Sequence, residues 1–552
     1  LLLPGVGKCE GNRLNPVTSA SEDDDIELLF LFMILSVLTG VFFKFFQKYI
    51  HYEYTPIILI IGMIFGFFFD KVGEIGKSLE YVGNIDGHSL LLIFIPLLIF
   101  ESSFTADTHT FMKSIWQILV LAFPAVICSI FFISLTFMYV LGYHSTFNWG
   151  MALSLSSILA ATDPVAVVAI LKSTGAKIQL HMIIEGESLL NDGSASIFFF
   201  VFVDLILNSE FSFATFFVKF CRLTLGGSAL GLLCGMIVSP LMKSMNNDNL
   251  VVIFSFIATY LTFFLAESSM VGLRVSGILA VVVLGLYLGA YVRPRLNPHY
   301  THTLHSVWSF AQFMMETLLF LLTGGYIGIF VAEKKLGVTA VDVGKMIGFN
   351  FILLLIRFFV IAIFWPILNC IGYRITWKEY IIMGWSGLRG AIALAIGLIV
   401  SLDYRLPEVF RNLSILYISG VIIFTVLIQG MTLKLVMRLI GYNRMGRTKE
   451  RLYKDLRRRF FLHMLEKSEI LRENKQTSYQ VCWPSVYQIF HFPKYILDFG
   501  NLESGGKPLM LDYDYRQDVD VLVELHVDKL DHMISDDEID TYNDMVNNVR
   551  QQ

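Results

Sequence analysis

Charge is scarce in this 552-residue chain: Asp, Glu, Lys and Arg together supply 16% of it. A soluble fold of this size needs a larger polar share to cover its surface. Cysteine is scarce too. The six residues, Cys9, Cys128, Cys221, Cys234, Cys370 and Cys482, are scattered, with no CxxC and no Cys/His ligand spacing. That excludes a disulfide framework and a zinc site, and no cofactor is expected. Signatures of chemistry are missing as well. There is no Gly-x-Gly-Asp of an intramembrane aspartyl protease, and Gly384-Trp385-Ser386-Gly387 is not Gly-x-Ser-x-Gly. No nucleotide-binding loop and no helix with Arg at every third position occurs. Neither an enzyme nor a nucleic-acid partner is expected. What the chain has is hydrophobicity, at 55% of residues with 48 Phe. Its apolar runs recur at about 20 residues, the length that crosses a hydrocarbon core. The fold class is therefore an all-α polytopic membrane protein.

Thirteen spans are expected, near 26–47, 54–69, 88–104, 114–141, 149–172, 181–207, 214–242, 249–268, 275–292, 307–331, 341–368, 378–400 and 408–440. Three regions follow: an extramembrane segment over 1–25, a transmembrane domain over 26–440 and a cytosolic tail over 441–552. The first is acidic (Glu22, Asp23, Asp24, Asp25), and the start of the tail is basic (Arg444, Arg447, Lys449, Arg451, Lys454). An odd span number and the positive-inside rule put the N-terminus outside and the tail in the cytoplasm. The tail to about Arg472 reads as a basic helix beside the membrane. Residues 512–544 carry 12 Asp/Glu against Arg516 and Lys529. That stretch is either a solvated tail or an autoregulatory or dimer-contact segment.

The charges that do enter the membrane are concentrated. Asp163, Glu185, Glu187 and Asp192 fall within 36 residues, Ala160 to Ala195. Each would cost about 2.5–3.5 kcal/mol at a bilayer centre, so such residues mark ion or proton pathways. Asp163, Asn191-Asp192, Arg357 and Arg389 all sit near the middle of their spans. Transporters keep their binding sites at that depth, between internal repeats. Thr162-Asp163-Pro164 interrupts the fifth span, since Pro lacks an N–H and disfavours helix before it. Gly384-Trp385-Ser386-Gly387-Leu388-Arg389-Gly390 loosens the twelfth. If spans 1–6 and 8–13 are two inverted six-helix repeats, these discontinuous helices are the fifth of each. Asp163 would then face a positive helix end and Arg389 a negative one.

On the sixth span Glu187 pairs by spacing with Asn191, and Ser188 with Asp192. Asp192 can bind a proton or a hard cation. Asn191, Ser188 and Thr162 offer neutral oxygens, which suit Na⁺. Glu187 needs a partner, and Arg357 is the natural one, giving a structural ion pair. Glu316 either joins that pair or faces a cavity. Glu185 is expected near an entrance, and Glu101 and Glu267 at the interface.

Several motifs together resemble the Na⁺/H⁺ exchanger family of the cation/proton antiporters. They are Ile95-Pro96-Leu97-Leu98-Ile99-Phe100-Glu101-Ser102, Ala161-Thr162-Asp163-Pro164-Val165, Gly186-Glu187-Ser188-Leu189-Leu190-Asn191-Asp192, Val275-Ser276-Gly277-Ile278-Leu279 and Gly387-Leu388-Arg389-Gly390-Ala391. In style they look most like the plant salt-tolerance and sperm-type members. The resemblance covers roughly residues 26–440. It implies a thirteen-helix fold with mobile core and dimerisation subdomains, usually a homodimer. It makes Asp192 the ion- and proton-binding carboxylate beside Asn191, and assigns Asp163, Thr162 and Pro164 to one crossover and Arg389 to the other. Glu187 is implied to pair with Arg357.

The expected activity is secondary exchange of Na⁺ (or Li⁺) for H⁺ by alternating access, with Na⁺ held at Asp192 and Asp163. Asn191 does not titrate, so the simplest cycle is one for one and electroneutral. K⁺/H⁺ exchange on the same scaffold and a non-transporting scaffold or sensor are the alternatives. The plasma membrane is the first expectation and an organelle membrane the second.

Overall fold

A computed structural model describes residues 19–47, 54–68, 87–208, 213–245, 247–268, 272–332 and 340–442, with Leu456 and Arg459. The chain divides into two units, Leu1–Tyr442 and Asn443–Gln552. The basic stretch of the tail to Arg472, those two residues apart, and the acidic stretch at 512–544 lie outside the described residues.

Among the described residues the first unit is helical, without strands. We label its helices α1 (Ser19–Gln47), α2 (Thr55–Phe67), α3 (Gly87–Thr105), α4 (Ile115–Val140), α5 (Trp149–Ala160) and α6 (Val165–Ser173). They continue with α7 (Ile178–Asn208), α8 (Phe213–Lys243), α9 (Asp248–Glu267), α10 (Gly277–Tyr291) and α11 (Pro298–Ala332). The last are α12 (Ala340–Ile371), α13 (Trp377–Trp385), α14 (Ala391–Leu402) and α15 (Glu408–Leu439). Among the described residues, ten passages are long and apolar enough to cross a membrane: α1, α4, α5 with α6, α7 to α12, and α15. α2, α3 and α14 are shorter apolar helices. Helices suit this sequence because hydrocarbon offers no partner for an unpaired backbone group.

Two starts differ from the sequence expectation. α1 begins at Ser19, seven residues ahead of the expected start at 26. α11 begins at Pro298, where proline's fixed φ suits the first helical position. Asn297 accepts from the His299 N–H there at 3.1 Å. α4 relaxes into a π turn at Leu121–Ala125, around Pro124.

Small residues set the closest helix contacts. A Cβ on Gly62 of α2 would lie 2.5 Å from the Leu321 carbonyl and 3.0 Å from the Gly325 nitrogen of α11. Glycines let two backbones approach that closely, and in lipid such packing replaces the hydrophobic drive. The apolar core forms separate clusters. One centres on α5, α14 and α15, another on α3, α9, α10 and α11, and a third on α6, α13 and the start of α7. The polar residues of interest lie where these clusters meet.

Candidate functional site

Two chain breaks cross one another. α5 stops at Ala160, and Ala161 is extended (φ −59°, ψ 139°). α13 stops at Trp385, and Gly390 is extended (φ −138°, ψ −157°) before α14 starts. The Asp163 N–H donates to the Leu388 carbonyl at 2.8 Å, tying the two breaks together. Gly390 lies directly against the Asp163 carboxylate, and any Cβ there would overlap Oδ2. Asp163 Oδ1 accepts from the Val165 N–H at 3.0 Å, so the carboxylate caps the positive end of α6. Arg389 is buried, and its Nη1 donates to the Gly387 carbonyl at 3.2 Å, just past the negative end of α13.

α7 passes behind the first break and holds it by side chains. Asn191 Nδ2 donates to the Ala160 carbonyl at 3.0 Å and to Thr162 Oγ1 at 3.4 Å. The Ser188 hydroxyl donates to the Thr162 carbonyl. The α5 carbonyls freed by the break thus find donors on α7, as buried backbone groups must. One helical turn positions these contacts, since residues 188, 191 and 192 share a face.

Glu187 points elsewhere. Arg357 of α12 meets it in a fork, Nη1–Oε1 at 2.5 Å and Nη2–Oε2 at 2.9 Å, with side chains 10% and 1% exposed. Two planar groups in this register make the strongest kind of charged hydrogen bond. Glu316 is not in that pair. Its carboxylate accepts from Tyr54 Oη at 2.9 Å and Gln312 Nε2 at 2.8 Å, and it faces a cavity. Of the two sequence readings for Glu316, the cavity is the observed one.

That cavity lies against the crossing. Asp163 and Asp192 line it, with Thr162, Pro164, Ser102, Gln312, Glu316 and Gly390. About 50 Å³ is open to water, room for a few molecules at roughly 10–15 Å³ each. Asp192 accepts no hydrogen bond from the described residues, so its oxygens are available to the cavity. Three carboxylates, Asp163, Asp192 and Glu316, and Thr162 supply oxygen donors around this space, suited to a proton or a hard cation.

Glu185 lies two turns from Asp192 on α7, and its Oε2 is buried without a partner among the described residues. Glu101 and Glu267 each bond to a neighbouring helix. Glu101 packs between α3 and α11, accepting from Ser309 Oγ at 2.8 Å. Glu267 Oε1 accepts from the Gly277 N–H at 3.0 Å, at the start of α10. The roles of Tyr54 and Gln312 were invisible in the sequence, because a single neutral polar residue carries no signal of the distant partner it touches. Thr425, whose Oγ1 accepts from the Arg389 N–H at 3.4 Å, was missed for the same reason.

The family model described as "Sodium/hydrogen exchanger, transmembrane" matches residues 28–439. Sodium/hydrogen exchanger 7 of Arabidopsis thaliana is 30% identical over 473 residues, 83% of this chain and 40% of that protein. Sodium/hydrogen exchanger 8 of the same plant is 30% identical over 485 residues, 85% of this chain and 62% of that protein. The Na(+)/H(+) antiporter ApNhaP of Aphanothece halophytica is 31% identical over 394 residues, 70% of each chain. The chain therefore spans about half the length of the plant relatives it matches. In fold it is similar to the sodium proton antiporter MjNhaP1 of Methanocaldococcus jannaschii, with a TM-score of 0.61 at 19% identity, covering 76% of this chain and 99% of that one. The crossed breaks, the carboxylate pair and a match that takes in nearly every described helix lead to one conclusion: the chain belongs to the sodium/hydrogen exchanger family.

Proposed function

We propose that the chain exchanges Na⁺ (or Li⁺) for H⁺ at Asp192 by alternating access. The observation that carries this is the meeting of two interrupted helices at a cavity shared by Asp163 and Asp192. A Na⁺ in that cavity would take Asp192 and Asp163 as charged ligands. Thr162, Ser188 and Asn191 would supply neutral oxygens or hold the break in shape. A proton on Asp192 and a cation beside it exclude each other, because each neutralises the same charge. Competition at one carboxylate couples the two fluxes. The similar proteins, named as Na⁺/H⁺ exchangers and antiporters, support the same ion pair.

The ten long and three short apolar helices form thirteen passages in two inverted repeats, with the breaks as the fifth of each. The N-terminus lies outside, the tail over 441–552 is cytosolic, and two copies pair within the plasma membrane. Asn191 adds no titrating group, so each turn moves one Na⁺ against one H⁺ and no net charge. Glu187 and Arg357 are structural, Arg389 steadies the second break, and no covalent chemistry is performed.

The test is exchange in liposomes carrying a pH gradient, with Na⁺, Li⁺ or K⁺ added outside. Na⁺ should collapse the gradient at a rate unaffected by clamping the voltage, and Asp192→Asn should abolish the response. A response to K⁺ alone would replace the cation. Silence from folded protein with every cation would contradict exchange and leave a scaffold.

A further inference from the structure

The second break lies against an irregularity in another helix. α15 opens into a π turn at Thr425–Gly430. A π turn interrupts the i→i+4 ladder, so its carbonyls can take donors from outside the helix. Trp385 Nε1, at the end of α13, donates to the Gln429 carbonyl at 3.2 Å and to Thr432 Oγ1 at 3.1 Å. Thr425 Oγ1 takes the Arg389 N–H, and a Cβ on Gly430 would meet Leu388 Cδ1 at 3.8 Å. Residues 385–389 therefore run along the π turn. Two polar atoms at this junction are buried without a partner among the described residues, Arg389 Nε and Gln429 Oε1. One is a donor and the other an acceptor, on two segments packed together.

The two breaks are held in opposite senses. The first offers carbonyls, and α7 answers with the donors Ser188 and Asn191. The second offers N–H groups, and α15 answers with the acceptors Thr425 Oγ1 and the Gln429 carbonyl. A shift at 385–389 reaches the cavity directly. The Leu388 carbonyl accepts from the Asp163 N–H at 2.8 Å, Gly390 abuts the Asp163 carboxylate, and residues 390–393 form part of the cavity wall.

We propose that the π turn of α15 determines which cation the site accepts: Thr425 and Gln429 position the second break, and with it the cavity wall beside Asp163. This rests on the exchange reading above. Both are positioning residues, acting through 385–390, since neither lines the cavity. Selectivity among hard cations follows the size of the space and the rigidity of its ligands. A wall pinned to α15 keeps the space small. A wall released from it gives way around a larger ion and closes poorly on a smaller one. Loosening the contacts at the π turn therefore penalises Li⁺ more than Na⁺.

The test measures the apparent KM for Li⁺ and for Na⁺, with the maximal rate and the melting temperature, for the full chain in proteoliposomes. Thr425→Val removes the acceptor and keeps the shape. Trp385→Phe removes the indole donor and keeps a ring. Each should raise the ratio of the Li⁺ KM to the Na⁺ KM by about two- to tenfold, the scale of one hydrogen bond. Thr425→Ser, which keeps the hydroxyl, should hold the wild-type ratio, as should Leu435→Ala on the exposed face of α15. A purely structural role would lower the melting temperature or the maximal rate and leave the ratio alone. An unchanged or lowered ratio in the folded variants, or an equal rise in Leu435→Ala, would overturn the proposal. If neither variant folds, hydrogen exchange in the wild type decides. Na⁺ should then slow exchange at 425–430 together with 388–390, and slowing confined to 388–390 or absent from both would overturn the proposal. A wild type that exchanges neither Na⁺ nor Li⁺ would instead overturn the exchange reading.

Discussion

Glu187 and Arg357 are charged groups that the membrane tolerates only together. Removing one partner of a buried pair leaves the other uncompensated, at a cost of about 3–5 kcal/mol. Glu187→Gln and Arg357→Gln should each lower the melting temperature in detergent strongly, and the double variant should lose less than the sum. Additive losses would show that the fork is not one unit. Gly390 makes a different kind of demand. Its backbone is extended, which any residue adopts, so the need for glycine is spatial: a Cβ would enter the Asp163 carboxylate. Gly390→Ala should therefore lose about 1–3 kcal/mol of stability and most of its ion flux, as the Asp163 carboxylate is pushed aside. At this scale the charged residues were readable, because charge in an apolar run is conspicuous. The bond from Ser309 to Glu101 joins residues about two hundred positions apart, so it could not be read from either helix. Tyr54 and Gln312 offered no signal, since their importance lies only in touching Glu316.

Among the helices, the discontinuous pair is the feature that makes a site. Pro164 announced the first break, and the glycines of 384–390 the second. Their contact, the Asp163 N–H on the Leu388 carbonyl, joins residues more than two hundred positions apart, which no local pattern encodes. A second long-range tie fastens the far end of α13. Glu379 forms a capping box with Thr376, accepts from Tyr373 Oη at 2.7 Å and lies 3.0 Å from Lys177 Nζ. Lys378 Nζ donates to the Gly441 carbonyl at 3.0 Å, bringing in the end of α15. The Tyr373 hydroxyl, with Glu379, holds the Lys177 ammonium above the usual lysine range. A raised folded-state value stabilises below lysine's ordinary pKa and fades only as pH climbs past it. The tie is therefore constant around neutrality. Lys177→Met should speed hydrogen exchange over residues 376–382 and leave α8 to α10 unchanged. Uniform protection in the variant would mean that α13 is held by packing alone.

For the molecule as a whole, composition alone settled that the chain lives in a membrane, because 16% charge cannot cover a soluble fold of this size. Helix positions followed from apolar length, and the ten long passages agree with that reading. Which helices pack together was not legible. α2 meets α11 through facing glycines far apart in sequence, and only the folded backbone brings Gly62 to Gly325. The central claim is that one carboxylate holds either a sodium ion or a proton. Proton release on Na⁺ binding, followed with a pH dye in weakly buffered, detergent-solubilised protein, tests it most directly. The account predicts about one proton released per Na⁺ bound, with none from Asp192→Asn. Sodium binding without proton release, or release that survives in Asp192→Asn, would contradict it.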